Sequence, residues 1–254
     1  MDIFAGTAEY YDQFRPGIPD TLRDYVLKAA PAPVTLLDLG TGTGRVLEQF
    51  APYFSDIIAV EPSEEMLKAA HRRLMQYPGT FVHASAEDME LPDDWHASLV
   101  TVCRAFHWMD RAVVLARLDK IVAPRGVVAV FYEHTFWTQS THWADLVRET
   151  LQHFLGPERE TLGGAYHEPA QPFSQDFARS AFSHVDKRIF PITRTWNADQ
   201  IVGYLYSTSY ASKQVLGAQA GRFEEQLRRG LAQLSPQDMF TENNEFELFL
   251  ARRP

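Results

Sequence analysis

The sequence predicts an α/β fold, a seven-stranded, mostly parallel sheet flanked by helices, with an inserted cap. Three observations carry this. Apolar β-type runs alternate with helical patterns through the first half, the signature of a parallel sheet with helices on both faces. A glycine-rich turn joins the first run to the helix that follows it. Toward the C-terminus, strand-like patterns return and supply two more strands.

Val34 to Leu39 reads as a buried strand, followed by the glycine turn and a helix from about Arg45 to Phe50. Asp56 to Val60 is a second strand. Ser63 is a natural N-cap, with Glu64 and Glu65 in the first turn where the helix dipole favours negative charge. That helix is expected to reach about Gln76 and to stop near Pro78-Gly79. Thr80 to Ala84, Leu99 to Cys103 and Gly126 to Phe131 are three more strands. Between the last two lies a helix from Arg111 to Ile121, with Asp110 as its N-cap. Residues 134–182 are rich in aromatics and His with weak periodicity, as expected of an insertion over the sheet. Lys187 to Trp196 resembles a strand, and Asp199 to Leu216 and Arg222 to Leu234 read as helices. Asn243-Asn244 signals a turn before a closing strand that puts Phe246, Leu248 and Leu250 on one face.

With 254 residues and 45% hydrophobic content, the chain fits one large domain, residues 1–254. Its net charge of −9 argues against a nucleic-acid backbone or an anionic membrane as partner, since the paired arginines at 72–73, 228–229 and 252–253 are too short to form a basic footprint. The one cysteine, Cys103, sits in an apolar run and reads as a small core residue. No secretion leader and no stretch of membrane-span length is seen, so a cytoplasmic location is expected. Nothing in the sequence fixes an oligomeric state.

The chemistry concentrates at Leu36-Leu37-Asp38-Leu39-Gly40-Thr41-Gly42-Thr43-Gly44. An acid near the end of a strand and a G-x-G-x-G turn opening a helix allow close approach of a nucleotide-type ligand. Glu61, at the end of the second strand, suits two ribose hydroxyls. The third glycine of a dinucleotide fingerprint is missing, because Arg45 and Val46 follow Gly44. Asp38 would repel a phosphate but suits a cationic amino group. A ligand with an ammonium, a ribose and no phosphate is S-adenosylmethionine. No His/Cys/Asp cluster stands at metal-ligand spacing, so no metal is expected.

The segments LDLGTGTGR (37–45), IIAVEPSEEML (57–67), ASAEDMELP (84–92), VCRAFHWMD (102–110) and YYDQFRPGIP (10–19) make the chain resemble class I S-adenosylmethionine-dependent methyltransferases, of the small-molecule type related to trans-aconitate methyltransferase. The resemblance implies a Rossmann-like sheet, with a cofactor-binding half over residues 1–133, a cap or substrate insertion over 134–182 and C-terminal strands and helices over 183–254. It places Gly40, Thr41 and Gly42 along the cofactor's methionine part and Asp38 near its amino group. Glu61 would hold the ribose, Pro62 and Met66 would flank the adenine, and Ser85, Ala86 and Glu87 would read its edge. The main chain at Arg104 and Ala105 would run beside the methionine tail, with Tyr11 and Arg15 closing over it.

The acceptor implied is a small molecule methylated on oxygen, nitrogen or a carboxylate. His107, as general base or positioning group, and Trp108 follow the fourth strand where the methyl group would be presented. Tyr10, His134 and Trp137 are candidates for the rest of an aromatic acceptor site, with Trp143 and His167 nearby in the same reading. Two rival functions stay open at this stage: non-methylating chemistry on the same fold, and a non-enzymatic cofactor sensor.

Overall fold

The computed structural model describes residues 2–30, 34–136, 138–158, 160–165 and 171–254. Two helices lead in, α1 (Ala8–Phe14) and α2 (Asp20–Ala29). They are followed by β1 (Thr35–Leu39), α3 (Leu47–Phe50), β2 (Asp56–Glu61), α4 (Glu64–Arg73) and β3 (Thr80–His83). Next come β4 (Ala97–Cys103), α5 (Arg111–Ile121) and β5 (Val122–Glu133). The chain continues through α6 (His142–Leu155), the two-residue strands β6 (Glu160–Thr161) and β7 (Gly164–Ala165), α7 (Phe173–Ala178) and β8 (His184–Trp196). It ends with α8 (Ala198–Tyr206), α9 (Lys213–Leu216), α10 (Ala220–Leu234) and β9 (Phe240–Arg252).

Among the described residues, seven strands form one mixed, mostly parallel sheet in the order β3-β2-β1-β4-β5-β9-β8. The pairs β2–β3, β1–β2, β1–β4 and β4–β5 are parallel. From β1 the chain works outward through β2 and β3, then crosses back to β4 on the other side of β1. Strand order therefore reverses at β1 and β4, and the carboxyl ends of these strands are where such sheets bind ligands. Leu36, Leu37 and Leu39, Ile57 to Val60, Leu99, Val100 and Val102, and Val127 to Phe131 are all buried. Strands covered on both faces read as continuous apolar runs, which is why these were visible in the sequence.

The chain divides into two compact units. One holds residues 17–132, 168–190 and 246–254; the other holds 1–16, 133–167 and 191–245. In the sheet unit, Ser63 caps α4 by accepting from Met66 N–H, and Asp110 caps α5 by accepting from Val113 N–H. Phe106 is wholly buried there, edge-on to Phe173 at 5.1 Å and stacked on Phe177 at 5.8 Å. Burying that ring contributes about 1.5–3 kcal/mol.

The other unit is built on helix pairs. α1 lies on α8 at Gly203, where an added Cβ would stand 2.3 Å from the Phe14 ring. α6 lies on α10 at Gly230, against Leu146. Glu242, 2% exposed, accepts from Gln139 Nε2, Trp196 Nε1 and Asn244 Nδ2, so its burial is fully compensated.

Several elements differ from the sequence reading. Residues 134–165 fall in the helical unit and 171–182 in the sheet unit, so the expected cap region is shared between the two. Asn243-Asn244 lies inside β9 rather than in a turn; Asn243 Oδ1 accepts from Thr193 and Asn244 Nδ2 donates to the His134 carbonyl. The helix expected over 199–216 breaks after Tyr206. There the Ser207 and Thr208 hydroxyls donate to the Tyr204 and Leu205 carbonyls, offering the backbone an alternative to helix.

Candidate functional site

The glycine turn is stitched to the end of β2. Gly40 N–H and Thr41 N–H both donate to the Val60 carbonyl, at 2.9 and 3.1 Å. Gly40, Gly42 and Gly44 have φ of 67°, 56° and 77°, a region that L side chains rarely adopt. A Cβ on Gly40 would stand 2.5 Å from Ala105 Cβ, so the turn after β1 and the turn after β4 touch at backbone distance.

Three features of this end of the sheet are chemically unusual. Asp38 is 3% exposed and accepts from the Thr101 hydroxyl at 2.5 Å. Burial pushes its carboxyl up to about 6, opposed in part by the hydroxyls of Thr101 and Thr41, neither of which carries charge. Glu61 is 6% exposed and holds two main-chain donors, Gly42 N–H on Oε2 at 2.8 Å and Ser63 N–H on Oε1 at 3.0 Å. Arg104 has φ 55°, a left-handed conformation uncommon for a residue other than glycine, right after β4. Its N–H is held by the Phe131 carbonyl at 3.0 Å.

The loops beside them complete this edge. Met66 and Ala86 are buried, Pro62 is exposed, and the His83 ring nitrogen lies 3.0 Å from the Pro62 carbonyl. Ser85 donates its hydroxyl to Asp88. The Glu87 carboxylate accepts from Asp110 N–H at 2.6 Å. His107 and Trp108 follow β4 in a short turn, ring centroids 4.9 Å apart, with His107 half-buried and Trp108 39% exposed.

In the helical unit, Arg15 is buried between two rings, its guanidinium carbon 4.5 Å from the Tyr204 centroid and 5.0 Å from that of Tyr11. It donates to the Ser207 hydroxyl at 2.8 Å, the Tyr204 hydroxyl at 3.4 Å and the Ser207 carbonyl at 3.5 Å. All three acceptors are uncharged. Tyr10 meets Tyr206 edge-on at 5.2 Å, with the Lys213 ammonium 5.1 Å from the Tyr10 centroid.

Comparison with known proteins fits this geometry. A methyltransferase-domain family matches residues 37–130. A Dictyostelium discoideum protein designated a methyltransferase is 23% identical over 213 residues, covering 82% of this chain and 77% of its own length. An uncharacterized methyltransferase of Mycobacterium tuberculosis is 32% identical over 123 residues, covering 48% of this chain; the match spans about half that relative, 49% of its length. A structure from Anaeromyxobacter dehalogenans designated a type II methyltransferase shares the fold, with a TM-score of 0.66, 22% identity and coverage of 94% of this chain and 98% of its own. Over residues 37–130 the chain is thus similar to the methyltransferase-domain family, and its fold is the one seen in the Anaeromyxobacter structure.

The sheet unit holds Asp38 in β1, Glu61 at the end of β2 and Met66 in α4, with Gly40, Thr41, Gly42, Pro62, Ser85, Ala86, Glu87, Arg104, Ala105, His107 and Trp108 in the segments after β1, β2, β3 and β4. Tyr10, Tyr11, Arg15 and His134 belong to the helical unit. Trp137 and His167 lie outside the described residues. Trp143, read as a pocket aromatic, is instead a core residue of the helical unit, packed on Phe136 and donating to the Thr241 carbonyl. Sequence reasoning missed Tyr204 and Ser207. The hydroxyl-rich run from Tyr204 to Ser212, buried throughout, was the available signal.

Proposed function

We propose that this protein moves the methyl group of S-adenosylmethionine onto a small-molecule acceptor. The observation that carries the reading is the pairing of a buried Asp38, met by the uncharged hydroxyls of Thr101 and Thr41, with the glycine turn and Glu61 at the point where strand order reverses. Asp38 would face the cofactor's ammonium, whose charge favours the ionised carboxylate against its burial. Glu61, already oriented by Gly42 and Ser63, would accept from the ribose hydroxyls. Gly40, Thr41, Gly42 and the main chain of Arg104 and Ala105 would line the methionine part. Pro62, Met66 and the loop at Ser85 and Ala86 would flank the adenine. Arg15, whose acceptors among the described residues are uncharged, and Tyr11 are the residues proposed for the cofactor's carboxylate.

When bound, the cofactor supplies a methyl group on a cationic sulfur. This chain's task is alignment and exclusion of water. Holding the two reactants in line is worth about 7–11 kcal/mol of barrier, which is why no nucleophile or triad is needed. His107 and Trp108, with Tyr10, His134 and Trp137, are the proposed acceptor-side residues. His107 takes a proton from a hydroxyl or amine acceptor, or positions an acceptor that is already an anion. The setting is proposed to be cytoplasmic; among the described residues no helix is long and apolar enough to cross a membrane.

Release of S-adenosylhomocysteine over a panel of small carboxylic acids, phenols and amines tests the reading. Acceptor-dependent release supports it. Tight cofactor binding with no release over the whole panel favours a sensor or a non-methylating enzyme.

A further inference from the structure

Glu87 lies on the loop after β3, yet its carboxylate is committed elsewhere: it accepts from Asp110 N–H at 2.6 Å, 23 residues further along the chain. Asp110 closes the turn that carries His107 and Trp108, and it caps α5 through Val113 N–H at 3.2 Å. The other end of that turn is anchored by the buried Phe106 on Phe173 and Phe177. Within it, Trp108 N–H donates to the Ala105 carbonyl at 2.9 Å and Met109 N–H to the Phe106 carbonyl at 3.4 Å. Met109 reaches over the glycine turn, its Cε 3.6 Å from where a Cβ on Gly40 would stand.

The loop bearing Glu87 is itself fixed. Ala86 and Met89 are buried in the sheet core, and Arg117 of α5 donates to the Met89 carbonyl. Ser85 and Asp88 close a tight side-chain turn between them, with Asp88 N–H to Ser85 Oγ at 3.2 Å and Ser85 Oγ to Asp88 Oδ2 at 2.8 Å. A fixed loop thus holds one end of this turn through a charge-assisted hydrogen bond.

We propose that Glu87 is a positioning residue for the acceptor side: its bond to Asp110 N–H latches the His107–Trp108 turn to the loop beside the adenine, so that a cofactor seated against that loop also steadies the turn. The inference rests on the proposed cofactor site. In it, Glu87 does not read the adenine edge itself. The peptide amide it accepts from is uncharged, so a glutamine oxygen replaces the carboxylate in kind.

Hydrogen exchange over residues 104–112, with and without S-adenosylhomocysteine, tests this alongside calorimetric titration of the same samples. In the free protein, Glu87→Ala is expected to speed exchange at Asp110 by tenfold or more, while Glu87→Gln keeps it slow. On adding S-adenosylhomocysteine, the wild-type turn slows further; Glu87→Ala binds within threefold of wild-type affinity, yet its turn does not slow. Unchanged exchange at Asp110 in Glu87→Ala overturns the latch. A tenfold loss of S-adenosylhomocysteine affinity in that variant with Asp110 still protected also overturns it, by making Glu87 a cofactor contact. Failure of the wild type to bind S-adenosylhomocysteine removes the cofactor reading and the coupling with it, and is distinguished by the titration from failure of the latch alone.

Discussion

Asp38 offers the sharpest test, because its burial has a cost that varies with pH. Its carboxyl stands at about 6 against an ordinary 3.8, a rise caused mainly by burial. The rise corresponds to about 3 kcal/mol of instability once both folded and unfolded states are ionised. The sign follows from linkage. The folded state holds the proton more tightly than the unfolded state, so the penalty is absent well below pH 3.8, grows as pH rises between the two values, and is complete above about 6. Between pH 4.5 and 7.5 the free protein should lose about 2 kcal/mol of stability from this group. Asp38→Asn removes the titration and keeps an oxygen for the Thr101 hydroxyl. Urea unfolding of both proteins across this range should show the wild type losing about 2 kcal/mol relative to the variant. The same carboxylate is proposed to meet the cofactor's ammonium. At pH 5 only about one molecule in eleven is ionised, so S-adenosylhomocysteine affinity should fall about tenfold from its value at pH 7.5, and this dependence should vanish in Asp38→Asn. A flat stability difference together with a pH-independent affinity would refute both the burial cost and the ammonium contact.

Three further outcomes are expected. Glu61→Ala should weaken S-adenosylhomocysteine binding by about 1.5–3 kcal/mol in calorimetry, the scale for hydrogen bonds to a charged group, and unchanged affinity would place the ribose elsewhere. Gly40→Val should abolish that binding, since φ of 67° and a Cβ 2.5 Å from Ala105 Cβ leave it no unstrained position; wild-type affinity would contradict the close approach of the two turns. His107→Ala should remove an acidic limb from the pH–rate profile and lower turnover by about 10²–10⁴ if the residue is a base. A raised Michaelis constant with an unshifted profile assigns positioning, and no change in either excludes both roles.

The first five strands and the glycine turn were legible because their signals are local. Asp38 and the glycines sit within seven residues of each other, and their strands, buried on both faces, show as unbroken apolar runs. Ser63 and Asp110 cap their helices through bonds three residues long, within reach of a sequence pattern. What escaped depends on distance or on conformation. Arg15 meets Ser207 across 192 residues. The left-handed turn at Arg104 has no compositional mark, because the residue there is not glycine. The break after Tyr206 comes from hydroxyls that bond back onto the helix carbonyls, while the surrounding apolar periodicity suggested one longer helix. Asn243-Asn244 misled in the opposite direction: two turn-forming residues sit in a strand, their amides taken up by Thr193 and by the His134 carbonyl.

The carboxyl ends of β1, β2 and β4 are proposed to bind a nucleoside carrying an ammonium and no phosphate. Calorimetric titration of the purified chain with S-adenosylhomocysteine and, separately, with NAD at pH 7.5 tests it most directly. S-adenosylhomocysteine should bind saturably, and NAD should give no binding heat. Tight NAD binding with no heat from S-adenosylhomocysteine would contradict it.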